Sequence, residues 1–376
     1  MQYRVIGLMS GSSLDGLYIV YAELEETGGK WSYDIKAATC VEYSDEWLKN
    51  LKSAPHLNAY DYLLLHAAFG RFMAGKVNDF IDHNDLHHKV QLIASHGHTV
   101  FHAPHLGMTA QLGDGATIAA LAGINVVNDL RMMDVALGGQ GAPIVPVGEK
   151  LLLKDYDYFL NLGGIANISA NTDDYIAFDV CPANRVLNML ANKEGKAYDD
   201  KGQIAKTGSV DAALLAKLNS LDYYRQPYPK SLANDFGVEV IFPLIQSSRI
   251  SIADSLRTCV EHIIQQTVNA INDIQHQVTA NQGLTANVQP ATSNIQLLIT
   301  GGGAFNDFLI ERLKNVLEIF HIDVIVPDAK LVKFKEALIM ALLGVLRWRE
   351  EDTVINTVTG ASRSSIGGAV WIGLEA

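Results

Sequence analysis

Three apolar strand patterns in this chain each run into a glycine turn, and this repetition constrains the fold more than any other feature. The turns lie at residues 7–16, 161–167 and 300–303. The first two continue into a second strand pattern, so each half of the chain opens with the same strand, turn and strand. A repeated supersecondary unit indicates duplication. The sequence therefore predicts an α/β fold of two similar lobes with a cleft between them.

Hydrophobic periodicity predicts the main elements around these turns. Apolar residues at helical spacing predict helices over residues 60–82, 251–277 and 335–349. Small residues at 365–373 predict a closely packed C-terminal helix, and the polar stretch 279–293 predicts a surface loop.

Charge and cysteine content argue against several classes of function. The chain has 376 residues with 29 Lys and Arg against 41 Asp and Glu, a formal charge of −12. This charge repels phosphate backbones, so nucleic acid is not an expected partner. Three scattered cysteines form no disulfide or metal pattern, and neither a signal segment nor an apolar run of about 20 residues is evident. We expect a cytoplasmic protein that does not bind membranes.

The glycine turns are candidate phosphate sites. Backbone N–H groups converge on a phosphate only where side chains do not block its approach, and glycine and serine meet that condition. Neither the GxxxxGK[ST] loop nor a clean GxGxxG is present. Any one turn is equally well explained as an ordinary hairpin, but three turns after three strands favour a nucleotide site.

Residues 7–16, GLMSGSSLDG, resemble the GxMSGTSxDG opening of the anhydro-N-acetylmuramic acid kinases, with Ser12 where that family usually has threonine. Further segments follow in the family's order. They are HGHT at 96–99, QLGDG at 111–115, NDLR at 128–131, GGQGAP at 138–143, NLGGIAN at 161–167, TGGGA at 300–304, KEA at 335–337 and VTGA at 358–361. The resemblance covers nearly the whole chain.

This resemblance implies a two-lobed actin-like fold, also called hexokinase-like or ribonuclease H-like, in which ATP and a sugar meet in the interlobe cleft. One lobe is expected at residues 1–127 plus about 340–376. The other, at 128–339, is expected to carry the second hairpin, the catalytic Asp and the adenosine motif. The residues expected to bind ATP are Gly11, Ser12, Ser13, Asp15, Gly16, Asn161, Gly163, Gly164, Asn167, Gly301, Gly302 and Gly303.

Asp179 is the candidate general base. It follows a strand pattern at 175–178 and precedes Pro182, which places it at a strand end. The alternative is a cap for a helix at 184–190. In the resembling family the base activates a water that attacks the anomeric carbon of a 1,6-anhydro bridge, and the freed O6 takes the γ-phosphoryl group of ATP. The resemblance thus implies N-acetylmuramic acid 6-phosphate and ADP as products, in cell-wall recycling.

Candidate sugar-binding residues come from several of these motifs. Arg131 offers a fork of donors that suits the lactyl carboxylate, with Asp129 close by in sequence. A loop salt bridge between these two residues is the alternative. The other candidates for sugar binding are His96, His98, Gln140 and Asn184.

Asp15 and Glu336 are candidates to orient Mg²⁺, through water, because Mg²⁺ is usually bound by only one or two carboxylates. Glu336 is otherwise explained as a charge favoured at a helix N-terminus. The histidines at 83–88 and 96–105 show no HExxH motif, so zinc is not expected.

The resembling family usually reads FDTGPGN where this chain reads FDVCPAN at 178–184. His98 also replaces a glutamine, and Tyr18 stands where a second aspartate is frequent. Two alternatives therefore stay open: a kinase for a related amino sugar, and an ATP-gated binding protein without turnover. We expect a homodimer, although no motif specifies one.

Overall fold

The computed structural model describes residues 1–11, 13–233, 235–281 and 294–373, and at 278–281 it describes the backbone only. The chain divides into two compact units. The first unit combines Met1–Lys154 with Phe334–Ala376, and the second comprises Asp155–Lys333. No helix in the described ranges is long and apolar enough to cross a membrane.

Twelve strands form in the described ranges, seven in the sheet of the first unit and five in the sheet of the second. In chain order they are β1 (Gln2–Ser10), β2 (Leu17–Thr27), β3 (Lys30–Val41), β4 (Leu92–Ala103), β5 (Met108–Leu112), β6 (Val126–Asn128), β7 (Tyr158–Leu162), β8 (Ile165–Ala170), β9 (Ile176–Pro182), β10 (Ile295–Thr300), β11 (Ile322–Ile325) and β12 (Ala369–Trp371).

Thirteen α-helices accompany these strands over the same described ranges. They are α1 (Asp45–Ser53), α2 (Ala59–His83), α3 (Gly115–Ala122), α4 (Met132–Ala136), α5 (Pro146–Leu152), α6 (Asn184–Asn192), α7 (Gln203–Thr207), α8 (Ala212–Asn219), α9 (Phe242–Ser248), α10 (Ile252–Asn281), α11 (Asp307–Leu317), α12 (Ala329–Trp348) and α13 (Asn356–Thr359).

The two sheets repeat one strand order. In the first unit β1, β2 and β3 are antiparallel, and β4 and then β6 continue parallel to β1 on its other side. In the second unit β7, β8 and β9 are antiparallel, and β10 and β11 continue parallel to β7. The predicted fold class, a duplicated α/β fold of the actin-like type, is confirmed.

Each unit has its own hydrophobic core because one stripe of a long helix faces its sheet. In the first unit the buried positions of α2 include Phe69, Met73 and Val77, four residues apart on one face. The helix begins where the Asn58 side chain accepts the Asp61 N–H at 3.0 Å. In the second unit α10 buries a similar stripe against β8 and β9.

The C-terminal segment differs from the sequence prediction. Residues 369–371 form β12, antiparallel to β6, and the helix predicted at 365–373 is wrong. Gly368 has a φ of +114°, a backbone conformation that a helix does not contain. Of the predicted loop at 279–293, residues 279–281 end α10 and the rest lie outside the described residues.

The division between the units falls at 154/155 and 333/334, whereas the sequence predicts boundaries after 127 and near 340. Residues 128–154 pack in the first unit through buried polar contacts. Lys335 forms an ion pair with Glu149 at 2.7 Å, and both side chains are buried. The Thr359 hydroxyl donates to Asp134 at 2.7 Å, and Asp134 is also buried.

Candidate active site

A row of polar residues crosses four strands of the second unit's sheet. The row consists of Asp179 on β9, Asn167 on β8, Asn161 on β7 and Thr300 on β10, and each residue lies directly opposite the next in the strand register. Opposed residues on neighbouring strands share a face, so these four side chains lie along one line. Successive residues of a strand alternate between faces, and Leu160 and Leu162 point into the hydrophobic core on the other side. The sheet therefore brings the candidate base together with both asparagines of the second hairpin.

Asp179 is held at its backbone and at one carboxylate oxygen. Its N–H donates to the Lys230 carbonyl at 3.2 Å, and its carbonyl accepts the Tyr223 hydroxyl at 2.6 Å. Its Oδ2 accepts the Leu232 N–H at 2.8 Å. Burial raises the pKa of the Asp179 carboxyl group, and the Leu232 N–H opposes that shift. A carboxylate whose pKa is raised in this way is a better general base than an exposed one.

Asp179 does not cap α6, so the alternative role considered for it is wrong. The helix begins after Ala183 without a side-chain cap. The Ala183 N–H donates to the Gly164 carbonyl at 2.9 Å, and the Asn184 N–H donates to the Gly163 carbonyl at 3.0 Å. The carbonyls of the second hairpin thus satisfy the first N–H groups of α6.

The turn after β10 packs against the second hairpin. Gly301 has a φ of +82°, and a Cβ there would lie 2.5 Å from Asn161 Oδ1. A Cβ at Gly303 would lie 2.6 Å from the Leu162 side chain. Gly302 is exposed, and the nearest atom to a Cβ there is 3.5 Å away. The two outer glycines therefore serve close packing, and Gly302 is the member of the turn with room for a ligand.

Asn184 links these two glycine segments. Its Nδ2 donates to the Leu162 carbonyl at 2.8 Å, and its Oδ1 would lie 3.1 Å from a Cβ at Gly303. The structure therefore places this predicted sugar residue at the glycine turns.

The residues by which FDVCPAN departs from the resembling family face the core. Val180, Cys181 and Ala183 are 3%, 0% and 1% exposed and belong to the hydrophobic core of the second unit. Asp179 is half-buried on the other face of the strand. The departures therefore change core packing next to the row of polar residues and not the row itself.

In the first unit, Asp15 braces the turn between β1 and β2. Its Oδ1 accepts the Ser13 hydroxyl at 2.5 Å, and its Oδ2 accepts the Tyr18 hydroxyl. Burial and the Asp15 charge raise the pKa of Tyr18, which keeps this phenol a donor. Ser12 lies outside the described residues.

Two glycines of this turn have different surroundings. A Cβ at Gly11 would meet only Ser13 Oγ, at 3.4 Å, which is an ordinary contact. A Cβ at Gly16 would lie 2.6 Å from both Cys40 Sγ and the Val41 carbonyl on β3. Gly16 is thus required by strand packing, whereas Gly11 is open to a ligand.

His96 and Arg131 form a buried hydrogen-bonded pair. His96 Nδ1 lies 2.9 Å from the Gly97 carbonyl, and Arg131 Nε donates to His96 Nε2 at 2.8 Å. Arg131 Nη1 donates to the Gly141 carbonyl at 2.6 Å. Burial and the Arg131 charge lower the pKa of His96 to about 3, so its ring is neutral near pH 7. Arg131 is therefore fixed by a neutral ring and a carbonyl, neither of which cancels its charge.

Asp129 has a left-handed backbone, with φ of +55°, directly after β6. Such a conformation is uncommon for a residue other than glycine and is found at functional sites. Desolvation raises the pKa of the Asp129 carboxyl group, while a hydrogen bond from the Met132 N–H lowers it. No ion pair joins Asp129 and Arg131, both of which the structure describes, so the loop salt bridge considered for them does not form.

Asp134 is a residue that sequence reasoning missed. It is fully buried, and its Oδ2 accepts the Gly141 N–H at 2.7 Å while Oδ1 accepts the Thr359 hydroxyl. The Gln140 N–H donates to the Thr359 carbonyl at 2.9 Å, and the Gln140 side chain is exposed. Asp134 thus joins the GGQGAP and VTGA segments and supports the loop that holds Arg131. Nothing in the local sequence MMDV distinguishes it from a surface aspartate.

His98 lies beside the end of β1. Its Nδ1 is 2.9 Å from Ser10 Oγ, which also accepts the Tyr43 hydroxyl at 2.6 Å. Burial lowers the pKa of His98. The structure therefore connects this predicted sugar residue to the residue that precedes Gly11.

Glu336 lies inside α12, about two turns after Ala329, so the interpretation as a first-turn charge is wrong. Gly7 brings β1 against this helix, because a Cβ at Gly7 would lie 1.9 Å from the Ala337 carbonyl. Burial raises the pKa of Glu336; Lys335 and Arg131 lower it, and Glu149 and Asp15 raise it. Glu336, Asp15 and Arg131 therefore share one electrostatic environment.

The family model described as anhydro-N-acetylmuramic acid kinase matches residues 3–373. Relatives with that name include proteins of Sulfurovum sp. and Synechococcus elongatus, each 32% identical over 98% of this chain and 99% of the relative. The protein of that name in Shewanella amazonensis is 33% identical over 98% of each chain.

Among solved structures, the activator of 2-hydroxyisocaproyl-CoA dehydratase from Clostridium difficile with bound ADPNP matches 92% of this chain and 96% of its own. That match has a TM-score of 0.40 and 14% identity, which is too low to support a conclusion.

Proposed function

Because the chain belongs to the anhydro-N-acetylmuramic acid kinase family, we propose that it is an ATP-dependent kinase that opens 1,6-anhydro-N-acetylmuramic acid by hydrolysis and phosphorylates O6. The products are N-acetylmuramic acid 6-phosphate and ADP, in peptidoglycan recycling. The observation that carries this proposal is Asp179, a half-buried carboxylate with a raised pKa in the row of polar residues.

Asp179 acts as the general base. It takes a proton from the water that attacks the anomeric carbon, and the bond from that carbon to the bridging oxygen breaks. The freed O6 then attacks the γ-phosphorus of ATP as the bond from that phosphorus to the β–γ bridging oxygen breaks, and ADP leaves. Leu232 orients the carboxylate through its N–H on Oδ2. A base of this kind contributes about 10²–10⁴-fold to the rate.

Arg131 binds the lactyl carboxylate of the sugar. Its guanidinium is held by His96 and Gly141, neither of which neutralises it, so its charge is available to an anion. Asp129, His96, His98, Gln140 and Asn184 are proposed as further sugar-positioning residues. All of these except Asn184 lie in the same unit as Arg131, which supports this role. Asn184 lies in the second unit, where its contacts with the glycine turns favour a part in holding those turns.

The ATP phosphates are proposed to contact backbone N–H groups of the glycine turns. The open space at Gly11 and at Gly302 supports this role, because neither glycine is required by packing against the protein. Gly163 and Gly164 turn their carbonyls to α6, which keeps those acceptors away from a phosphate.

Asp15 and Glu336 are proposed to hold Mg²⁺ through water. Desolvation and, to a smaller extent, the charges of Glu149 and Asp15 raise the pKa of Glu336, and a cation bound nearby would oppose that shift. Mg²⁺ usually keeps several of its waters, so one or two carboxylates are enough to hold it. Mg²⁺ would neutralise charge on the transferring phosphoryl group.

A product assay in water labelled with heavy oxygen tests this function. The protein is incubated with ATP, Mg²⁺ and a panel of amino sugars that includes the 1,6-anhydro form, and the products are identified by mass. We expect one phosphorylated product, from the anhydro sugar, with heavy oxygen at its anomeric hydroxyl. A phosphorylated product without the label would contradict coupled hydrolysis, and no product from any sugar would favour a binding protein without turnover.

A further inference from the structure

The segment 223–232 holds Asp179 from outside its sheet. Three residues of this segment, Tyr223, Lys230 and Leu232, bind its carbonyl, its N–H and its Oδ2 respectively. Tyr228 stacks on the neighbouring Phe178 with ring centroids 5.1 Å apart and planes within 1°. The segment thus contacts the base at its main chain, its side chain and the residue before it.

The hydrogen bonds leave one carboxylate oxygen for chemistry. Oδ2 is occupied by the Leu232 N–H, and in the described part of the chain no residue donates to Oδ1 of Asp179. A base needs an oxygen that can approach the proton it removes. The segment therefore selects Oδ1 as the proton acceptor.

Tyr223 is fixed in turn by its neighbours. Lys230 Nζ lies 5.0 Å from its ring centroid, and the Tyr224 ring meets it edge-on at 5.5 Å. The Tyr224 hydroxyl bonds to Nε2 of the buried His262 on α10 at 2.9 Å. The Tyr223 hydroxyl is thus presented to Asp179 from a site anchored on the longest helix.

We propose that Tyr223 is a positioning residue for Asp179. Its hydroxyl donates to the Asp179 carbonyl and so holds the 223–232 segment in place against Asp179. In that position the Leu232 N–H binds Oδ2, and Oδ1 is left for the reacting water. The inference rests on the proposed function, in which Asp179 is the base.

Tyr223→Phe tests the proposal because it removes only the hydroxyl and keeps the ring contacts. We expect kcat to fall about tenfold, which corresponds to one hydrogen bond, while KM for sugar and ATP stays unchanged. The acid limb of the kcat–pH profile should move to higher pH, because a carboxylate that loses an N–H donor has a higher pKa.

Tyr3→Phe is the matched control. It removes a hydroxyl with a hydrogen bond of similar length, 2.8 Å from Arg349 Nη1. Among the described residues this hydroxyl has no contact with Asp179 or with the 223–232 segment. The variant should lower the unfolding temperature while leaving kcat and its pH profile at the wild-type values. Equal loss of kcat in the two variants, or no change in folded Tyr223→Phe, would overturn the positioning role.

A second pair of variants addresses the carboxylate contact itself. Leu232→Pro removes the N–H that binds Oδ2, whereas Leu232→Ala keeps it. Only the proline variant should shift the acid limb upward; identical profiles in both folded variants would also overturn the proposal. The proposed function is judged separately by Asp179→Asn. If Asp179→Asn keeps near wild-type turnover, Asp179 is not the base. If Asp179→Asn loses turnover while Tyr223→Phe keeps the wild-type kcat and pH profile, only the positioning role of Tyr223 is rejected.

Discussion

Asp179 can be replaced by asparagine without loss of size, and the new side chain can still accept the Leu232 N–H. If the residue is the base, Asp179→Asn should lower kcat by about 10²–10⁴-fold while calorimetry shows unchanged ATP binding. Asp211→Asn is the control, because Asp211 does cap a helix, accepting the Leu214 N–H at 2.7 Å. That variant should keep both kcat and fold, since asparagine caps almost as well.

Arg131 allows a second test on a single side chain. Arg131→Lys keeps the charge but cannot reproduce the donors to His96 and Gly141. We expect KM for the anhydro sugar to rise about 10- to 100-fold, the range of a charge-assisted hydrogen bond, with ATP affinity unchanged. Arg347 also donates to a backbone carbonyl, that of Gly368 at 2.8 Å, so Arg347→Lys is a matched control. A KM for Arg131→Lys no higher than that of the control would remove Arg131 from sugar binding.

At the scale of elements, the first glycine hairpin separates a ligand role from a packing role. Gly11→Val should fold, because a Cβ at Gly11 has no close neighbour, and it should weaken ATP binding measured by calorimetry. Gly16→Val should instead lower the unfolding temperature, because its Cβ would contact β3 at 2.6 Å. Unchanged ATP affinity in folded Gly11→Val would show that the turn is only a hairpin.

The strands and helices with strong periodicity were predictable from sequence, and the C-terminal strand was not. The helix predicted over 60–82 is observed as α2, one residue longer at each end, because its apolar stripe is continuous. Residues 365–373 have little apolar periodicity, and β12 is extended because of its ladder with β6. That partner lies far away in the sequence, where local patterns carry no information about it.

The same limit applies to the site. The glycine motifs and Asp179 stand next to strand patterns and are visible in the sequence. Tyr223 is 44 residues from Asp179, and Thr359 is 225 residues from Asp134. Only the fold brings such residues together, so the sequence indicated the candidate base and not the groups that hold it.

At the scale of the whole molecule, each unit contains a buried neutral histidine. Burial lowers the pKa of His96 in the first unit and of His262 in the second to about 3. The unfolded chain protonates these rings below its ordinary pKa of about 6.5 while the folded chain does not, so stability is lost as pH falls through that value. The expected loss is about 2 kcal/mol per histidine between about pH 7 and pH 5.

Chemical unfolding at the two pH values checks this expectation. His262→Gln should show a smaller drop in unfolding free energy than the wild type. His276, exposed on the same helix, offers the control His276→Gln, for which we expect the wild-type drop. A drop of the same size in both variants would show that His262 does not contribute to acid sensitivity.

The two faces of β9 place different demands on the residues that occupy them. Substitutions at Val180 and Cys181 must satisfy volume and packing, because both side chains lie in the core, whereas Asp179 must also satisfy its proposed role as the base. Relatives can therefore differ at the two core-facing positions, Val180 and Cys181, while keeping their activity. When related sequences are compared, some will keep the aspartate and the asparagine that correspond to Asp179 and Asn184 but differ at the residues between them. Whether such a sequence keeps the activity should be judged by the face of the strand on which it differs, and not by the number of differences.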